Sequence, residues 1–393
     1  MSEKIALGLG DNTDYEIVWN SAVFENLVRR HDIRVAELAT DKPIASERDL
    51  VISILGFLRA GSGGERHVAA SAIVEDFARH FAMKITLGGT SVRAAIAMRK
   101  LGHTSALHLV TINEHVRRLI PQDSPYVCSN TVDSSFPHLI VQFDKGMRVC
   151  AGDIDICSSR ANRIIYHDDT DNVIMRLNEG FGDLITGAKV FLVSGFNAMR
   201  DEQLLVDRLA SVQRMLARLP ADAQVFFEDA GYYNPNFHKL AVNTLAQRIT
   251  IFSLNEDELQ GHLGRTVDML DAVAVTAALG DLHQLIPVPM IVVHSMYWAL
   301  AYGDKAPSMA SALKGGVTMA TTRFRCGDDF TVENYREIEN LPPNLEGAQF
   351  AVAIPGHLGS KVCVVPVAQV AQSAGTTIGL GDAFVGGFLP ALI

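Results

Sequence analysis

The chain has 393 residues, 48% of them hydrophobic and 20% charged, which excludes a disordered polypeptide and allows one large domain plus a smaller one. A formal net charge of −10 provides no cationic footprint for nucleic acid or an anionic bilayer, and no apolar run approaches membrane-spanning length. Five cysteines without a C-x-x-C pair fit free thiols, and with no leader-like pattern at the N-terminus they point to a cytoplasmic protein.

Residues 4–10 (KIALGLG) read as a short strand ending in glycine, followed by Asp11-Asn12-Thr13-Asp14. Open α/β sheets bind ligands just past the carboxyl ends of their strands, which makes Asn12 and Asp14 candidate hydroxyl binders; an Asx turn or helix cap fits the same residues. Apolar residues recur at helical spacing over 21–31 and 46–59, each run opened by serine. The Gly-rich stretch 60–66, which contains Glu65 and Arg66, reads as a connector to a helix over 69–81. A strand over 84–87 runs into Gly88-Gly89 and a small-residue helix over 92–101. Glycines there let a substrate approach the helix amides, although tight helix packing selects the same residues. Residues 105–111 form the next strand.

From about 121 to 176 the texture changes to short β-rich pieces, among them 138–143, 147–151 and 163–166, with Asp144-Lys145-Gly146 as a hairpin turn. Such an antiparallel insert suits a lid that closes over a site and excludes water. After Gly182 strands and helices alternate, with strands at 189–194, 224–227, 249–253 and 290–294. Repeated βα units imply a mostly parallel sheet with helices on both faces, whose strand ends deliver their loops to one edge. Glu228-Asp229 and Asn255-Glu256-Asp257-Glu258 follow two of those strands. Oxygen ligands at such an edge suit Mg²⁺ beside phosphate, while Asn255 and Glu258 also fit a capping box.

The last apolar run, 361–366, leads to Thr377-Ile378-Gly379-Leu380-Gly381-Asp382. Glycines let the backbone come close to a ligand, the free amides of a first helical turn favour an anion, and Asp382 is placed to take a proton from an attacking hydroxyl. A G-x-G-D string alone fits an ordinary Gly-rich helix cap equally well.

Together, T-x-G-L-G-D at 377–382 after Val364-Val365-Pro366, the N-x-x-E pattern of Asn255 to Glu258, Ala161-Asn162-Arg163-Ile164-Ile165, Val193-Ser194-Gly195-Phe196 and His138-Leu139-Ile140 resemble the ADP-dependent sugar kinases. These are the glucokinase and phosphofructokinase branch of the ribokinase superfamily. The resemblance implies a three-layer αβα sandwich, ribokinase-like, with a mostly parallel sheet and a smaller β-rich lid. We take the larger unit as residues 1–14, 46–111 and 183–393, and the lid as 15–45 and 112–182. It further implies Asp382 as catalytic base, with the amides of Gly379, Leu380 and Gly381 as anion hole. Arg163, Asn255, His294 and Val365 fall on the nucleotide side; Glu228 and Glu258, with Asn255, would hold Mg²⁺ directly or through water. Asn12, Asp14, Glu65, Gly88, Gly89 and His138 would line the acceptor pocket, Glu65 being where glucose-using members place an acid.

Two positions depart from the family pattern. Its H-x-E reads Phe226-Phe227-Glu228 here, and the glucose-type Gly-Gly-Gln reads Gly88-Gly89-Thr90. The expected reaction moves the β-phosphoryl of ADP to a hydroxyl of a glucose-like hexose or of fructose 6-phosphate, releasing AMP, in a monomer or homodimer. Arg66, Arg176 and Arg200 are the candidates for the second phosphate of a sugar phosphate. An ATP-using kinase of the same superfamily and a non-catalytic sugar or nucleotide sensor are the alternatives.

Overall fold

The computed structural model describes residues 3–371 and 375–393. Its strands begin with β1 (Ile5–Leu7), β2 (Asn12–Ile17), β3 (Gly64–His67), β4 (Met83–Gly88) and β5 (Ala106–Leu109). β6 (Tyr126–Cys128), β7 (His138–Phe143), β8 (Arg148–Ala151), β9 (Ile154–Cys157) and β10 (Asn162–His167) follow. The last are β11 (Val190–Val193), β12 (Gln224–Glu228), β13 (Ile251–Asn255), β14 (Ile291–His294), β15 (Trp298–Tyr302) and β16 (Val362–Pro366).

Nine strands form the larger sheet in the order β16-β15-β14-β13-β12-β11-β1-β5-β6. Every neighbouring pair is parallel except the two made by β15. Parallel strands buried on both faces need continuous apolar runs, as in the fully buried Val-Phe-Leu-Val of β11. Alternate residues divide between two cores. Ala6, Phe191, Val225, Phe227 and Phe252 pack with the helices Glu202–Leu216, Pro235–Leu245 and Ala272–Leu285. Ile5, Leu7, Leu192, Phe226 and Val292 pack with Thr90–Lys100, Ala310–Cys326 and Leu380–Phe388. The result is the expected three-layer mixed α/β arrangement.

The smaller sheet has the order β3-β10-β7-β2-β4 and its own core, in which Phe24, Leu55, Phe77, Val141, Ile164 and Tyr166 meet under three helices. Those helices are Ser21–Arg30, Glu47–Ala60 and Ser71–Ala78. Because side chains alternate along a strand, the residues between the core positions face the opposite way. In register, Asp14 lies beside His138, Gln142 beside Arg163, and Glu65 beside Ile165, so one face of the sheet carries Asp14, Glu16, His138, Arg163, Glu65 and His167.

The division of the chain differs from the sequence reading. Residues 46–88, assigned there to the larger unit, supply β3, β4 and two helices to the smaller sheet, and β6, assigned to the lid, is the outer strand of the larger one. Asn12 and Asp14 lie within β2, not in a turn. The Asp144-Lys145-Gly146 turn joins β7 to β8 without pairing them; the hairpin is β8 with β9, turning at Gly152. Among the described residues no helix is long and apolar enough to cross a membrane.

Candidate active site

The chain enters the helix Leu380–Phe388 through Gly379, whose φ of +63° is left-handed. A Cβ there would lie 2.8 Å from Arg93 Nη1, so conformation and space both demand glycine. The first intrahelical bond runs from Ala383 N to Gly379 O at 3.0 Å, which leaves the amides of Leu380, Gly381 and Asp382 without helical acceptors. Asp382 stands in this first turn with its side chain 23% exposed. One residue before Gly379, Ile378 O accepts a 2.7 Å bond from Arg323 Nε, and Arg323 is paired with Asp328. The helix is held from both sides at its glycines. A Cβ on Gly386 would lie 2.8 Å from Ala94 O, and one on Gly387 would lie 2.5 Å from Met319 Cβ.

Arg93, which the sequence reading passed over, joins this loop to the smaller sheet. Its Nη2 lies 2.6 Å from Asp14 Oδ2 and 3.7 Å from Glu16 Oε1, and its Nε lies 3.7 Å from Asp382 Oδ2. Burial opposes its charge, but Asp14, Asp382 and Glu16 outweigh that and hold it firmly protonated. Asn12 Nδ2 donates to the other Asp14 oxygen at 2.5 Å. An arginine near the start of an Ala-rich helix, directly after Gly88-Gly89, was the available signal. The two glycines themselves serve packing, since a Cβ on Gly88 would meet the Asn12 amide and one on Gly89, at φ +88°, would lie 2.7 Å from Gly10 O.

Farther along the same face, His138 Nε2 is 2.8 Å from Asp169 Oδ2 and its ring is 4.7 Å from that of His167. Burial disfavours charge on His138, but the bond to Asp169 and the charges of Asp169, Asp14 and Glu65 raise its pKa above the usual histidine value. Glu65 meets His167 at 2.9 Å, and although burial opposes ionisation, His167, His138 and Arg163 keep the carboxyl below its ordinary pKa. The Arg163 guanidinium forms no hydrogen bond or ion pair with any described residue; burial lowers its pKa, and the nearby charges of Asp382 and Glu65 support it. Arg200 contacts His67 and lies 5.0 Å above the Tyr233 ring, Arg66 donates to Lys42 O, and Arg176 lines a cavity of about 540 Å³ with Ser129, Asn178 and Arg208. The structure thus separates the three arginines nominated for one phosphate.

On the larger sheet, Glu228 at the end of β12 meets His294 Nε2 at 3.2 Å, while its Oε2 is buried with no partner among the described residues. His294 comes from the end of β14 and stacks on Phe384 at 4.7 Å. Phe226, where the family pattern has histidine, fills the core 5.4 Å from Phe388, and the imidazole beside Glu228 arrives from another strand instead. Asn255 and Glu258 form a complete capping box, so the Asn255 side chain is committed to the helix Glu256–Leu263. Burial, then the charges of Asp229 and Glu228, push the Glu258 carboxyl up to about 8. A divalent cation would relieve that repulsion and satisfy the orphaned Glu228 oxygen, so these residues fit a bound Mg²⁺. Val365 lies on β16 at the edge of the sheet, partly buried against the second core.

Compared with known proteins, residues 3–389 match the model of the ADP-specific phosphofructokinase/glucokinase conserved region. Among solved structures, a phosphofructokinase from Pyrococcus horikoshii OT3 with AMP is 17% identical with a TM-score of 0.79, over 100% of this chain and 98% of that one. The last common ancestor of ADP-dependent phosphofructokinases from Methanosarcinales is 15% identical at a TM-score of 0.73, over 99% and 94%. An ADP-dependent kinase complexed with fructose 6-phosphate and ADPβS is 14% identical at 0.72, over 100% and 94%. Among curated proteins no sequence match is found.

Proposed function

The chain belongs to the ADP-specific phosphofructokinase/glucokinase family and is an ADP-dependent kinase of a sugar or sugar phosphate; from that premise we propose that Asp382 is its catalytic base. The supporting observation is Arg93, whose guanidinium reaches Asp382 at 3.7 Å and Asp14 at 2.6 Å, drawing the anion loop and the smaller sheet to one point.

An acceptor hydroxyl, oriented by Asn12 and Asp14, gives its proton to Asp382 and attacks the β-phosphorus of ADP. The new O–P bond forms as the bond to the α-phosphate bridging oxygen breaks, and AMP leaves with that oxygen. The free amides of Leu380 and Gly381, the helix dipole and Arg93 stabilise the charge on the transferring group. Arg163, whose guanidinium has no partner among the described residues, would reach the nucleotide phosphates. Glu228 and Glu258 would hold Mg²⁺, with His294 orienting Glu228; when bound, the ion supplies charge neutralisation at the phosphate oxygens. Asn255 serves that arrangement by fixing the helix that carries Glu258.

For the acceptor, the ionised Glu65 held by His167 beside His138 favours a glucose-like hexose, because a carboxylate accepts from sugar hydroxyls and repels a phosphate. Fructose 6-phosphate is the second reading, with Arg200 and His67 at the rim of the same sheet as its phosphate contacts. Assays pairing ADP or ATP with hexoses and hexose phosphates, reading AMP and ADP release separately, decide donor and acceptor together. AMP release with a hexose is expected, lowered about 10²- to 10⁴-fold in Asp382→Asn. Release of ADP from ATP alone would move the protein to an ATP-using kinase. Tight binding without turnover would make it a sensor.

A further inference from the structure

One cluster outside the kinase machinery gathers donors of a different kind. Asp229 follows Glu228 at the end of β12, His238 lies on the helix Pro235–Leu245, and His262 lies on Glu256–Leu263. His262 Nε2 is 2.6 Å from Asp229 Oδ2, and His238 Nε2 is 3.0 Å from Asp229 Oδ1. One donor atom from each residue lies within 4.8 Å of the other two, and the imidazole centroids are 4.5 Å apart. Asp229 is 5% exposed and His238 7%.

A hydrogen-bonded trio accounts for His262, whose Nε2 is aligned on the carboxylate. It does not account for His238. That Nε2 is buried and, despite its 3.0 Å approach, forms no aligned hydrogen bond with any described residue. Leaving such a nitrogen unmatched in the interior is costly. Two imidazole nitrogens and a carboxylate oxygen converging on one point are instead the donor set of a borderline divalent ion, with bonds of about 2.0–2.2 Å and a fourth position left to water.

We propose that Asp229, His238 and His262 bind a zinc-like transition-metal cation, at a site separate from the carboxylates assigned to Mg²⁺. Imidazole suits Zn²⁺, Co²⁺ and Ni²⁺, whereas Mg²⁺ takes oxygen ligands, so the two sites sort their ions by chemistry. On binding, each ring keeps its proton on Nδ1 and the ligand set carries one negative charge. The ion fastens the end of β12 to both helices, one residue from Glu228.

The test is titration of the full chain with Co²⁺ and Zn²⁺ in excess Mg²⁺ and ADP, reading the visible Co²⁺ absorption and competition with a chromophoric chelator. One equivalent of Co²⁺ with the intense bands of a low-coordinate site, displaced by Zn²⁺, is expected. His262→Gln and His238→Gln should each weaken binding about 100-fold or more, since loss even of residues that only support a ligand costs about 10- to 100-fold. His262 is partly exposed, so His262→Gln decides the matter if His238→Gln fails to fold. Equal affinity in wild type and His262→Gln, or no binding beyond that displaced by Mg²⁺, overturns the proposal. Neither readout depends on turnover, so it stands or falls apart from the kinase assignment.

Discussion

At the scale of single residues, Arg93 and Asp11 carry the sharpest expectations. Removing the Arg93 guanidinium leaves the buried Asp14 without a counter-ion, with the Asn12 amide as its remaining side-chain partner. Arg93→Met should cost about 3–5 kcal/mol of stability and lower kcat about 10²- to 10³-fold with ADP affinity little changed, measured by denaturation and steady-state kinetics. A variant with wild-type kcat would remove Arg93 from the mechanism. Asp11 accepts from the amides of Val110 and Thr111 at 2.7 and 3.0 Å, but its second oxygen is buried without a partner among the described residues, and burial pushes its carboxyl up to about 7. Its folded pKa exceeds the unfolded value of 3.8, so its stabilisation is complete below that value and is lost as pH rises toward 7. Asp11→Asn should flatten that part of the stability profile, read as urea midpoints at several pH values; an unchanged slope refutes it. The sequence exposed the residues that carry family text, such as Asp382. It hid Arg93 and Asp11, whose importance comes from burial and from partners far away in the chain.

At the scale of elements, the helix Leu380–Phe388, which carries the proposed base, is positioned by the absence of side chains. Gly386 and Gly387 let it touch the backbones of Thr90–Lys100 and Ala310–Cys326 directly. Gly387→Ala forces a methyl against Met319 and Gly315 O, and overpacking of that kind costs about 1–3 kcal/mol. We expect that loss in thermal denaturation together with a lower kcat, because the helix cannot yield without moving Asp382. Wild-type activity at reduced stability would show that the loop is set independently of the helix. Hydrophobic period and capping residues made most of these elements readable: Ser46 does cap Glu47–Ala60, and Asn255 with Glu258 closes a capping box. β15 escaped because it follows β14 through a short turn held by Ser295, whose amide donates to Trp298 O at 2.9 Å, and its apolar text merges with that of its neighbour.

For the whole molecule, the two sheets meet across charges. Lys84 on β4 pairs with Asp328 and Asp329 at 3.2 and 3.3 Å, and Asp328 also holds Arg323, which bonds the carbonyl just before the anion loop. The two pairs made by the exposed Lys84 side chain are weak, about 1 kcal/mol at most. Lys84→Ala should raise the KM for the acceptor by no more than about fivefold, an effect that fades with added salt; a change in kcat alone would argue against a role in bringing the sheets together. The αβα class was legible from alternating strands and helices, but the division between the sheets was not, since β3 and β4 join the smaller one through pairing with distant strands. The order of the elements also sets a timetable for synthesis. All five strands of the smaller sheet have been made by His167, whereas β1, which lies between β5 and β11 in the larger one, gains its second neighbour only when β11 begins at Val190. Asp382 follows all of these strands in the chain, on a helix that seats between two helices made before it. A nascent chain can therefore complete every strand of both sheets before the proposed base is made, so on our reading phosphoryl transfer waits for a residue that neither sheet needs in order to form.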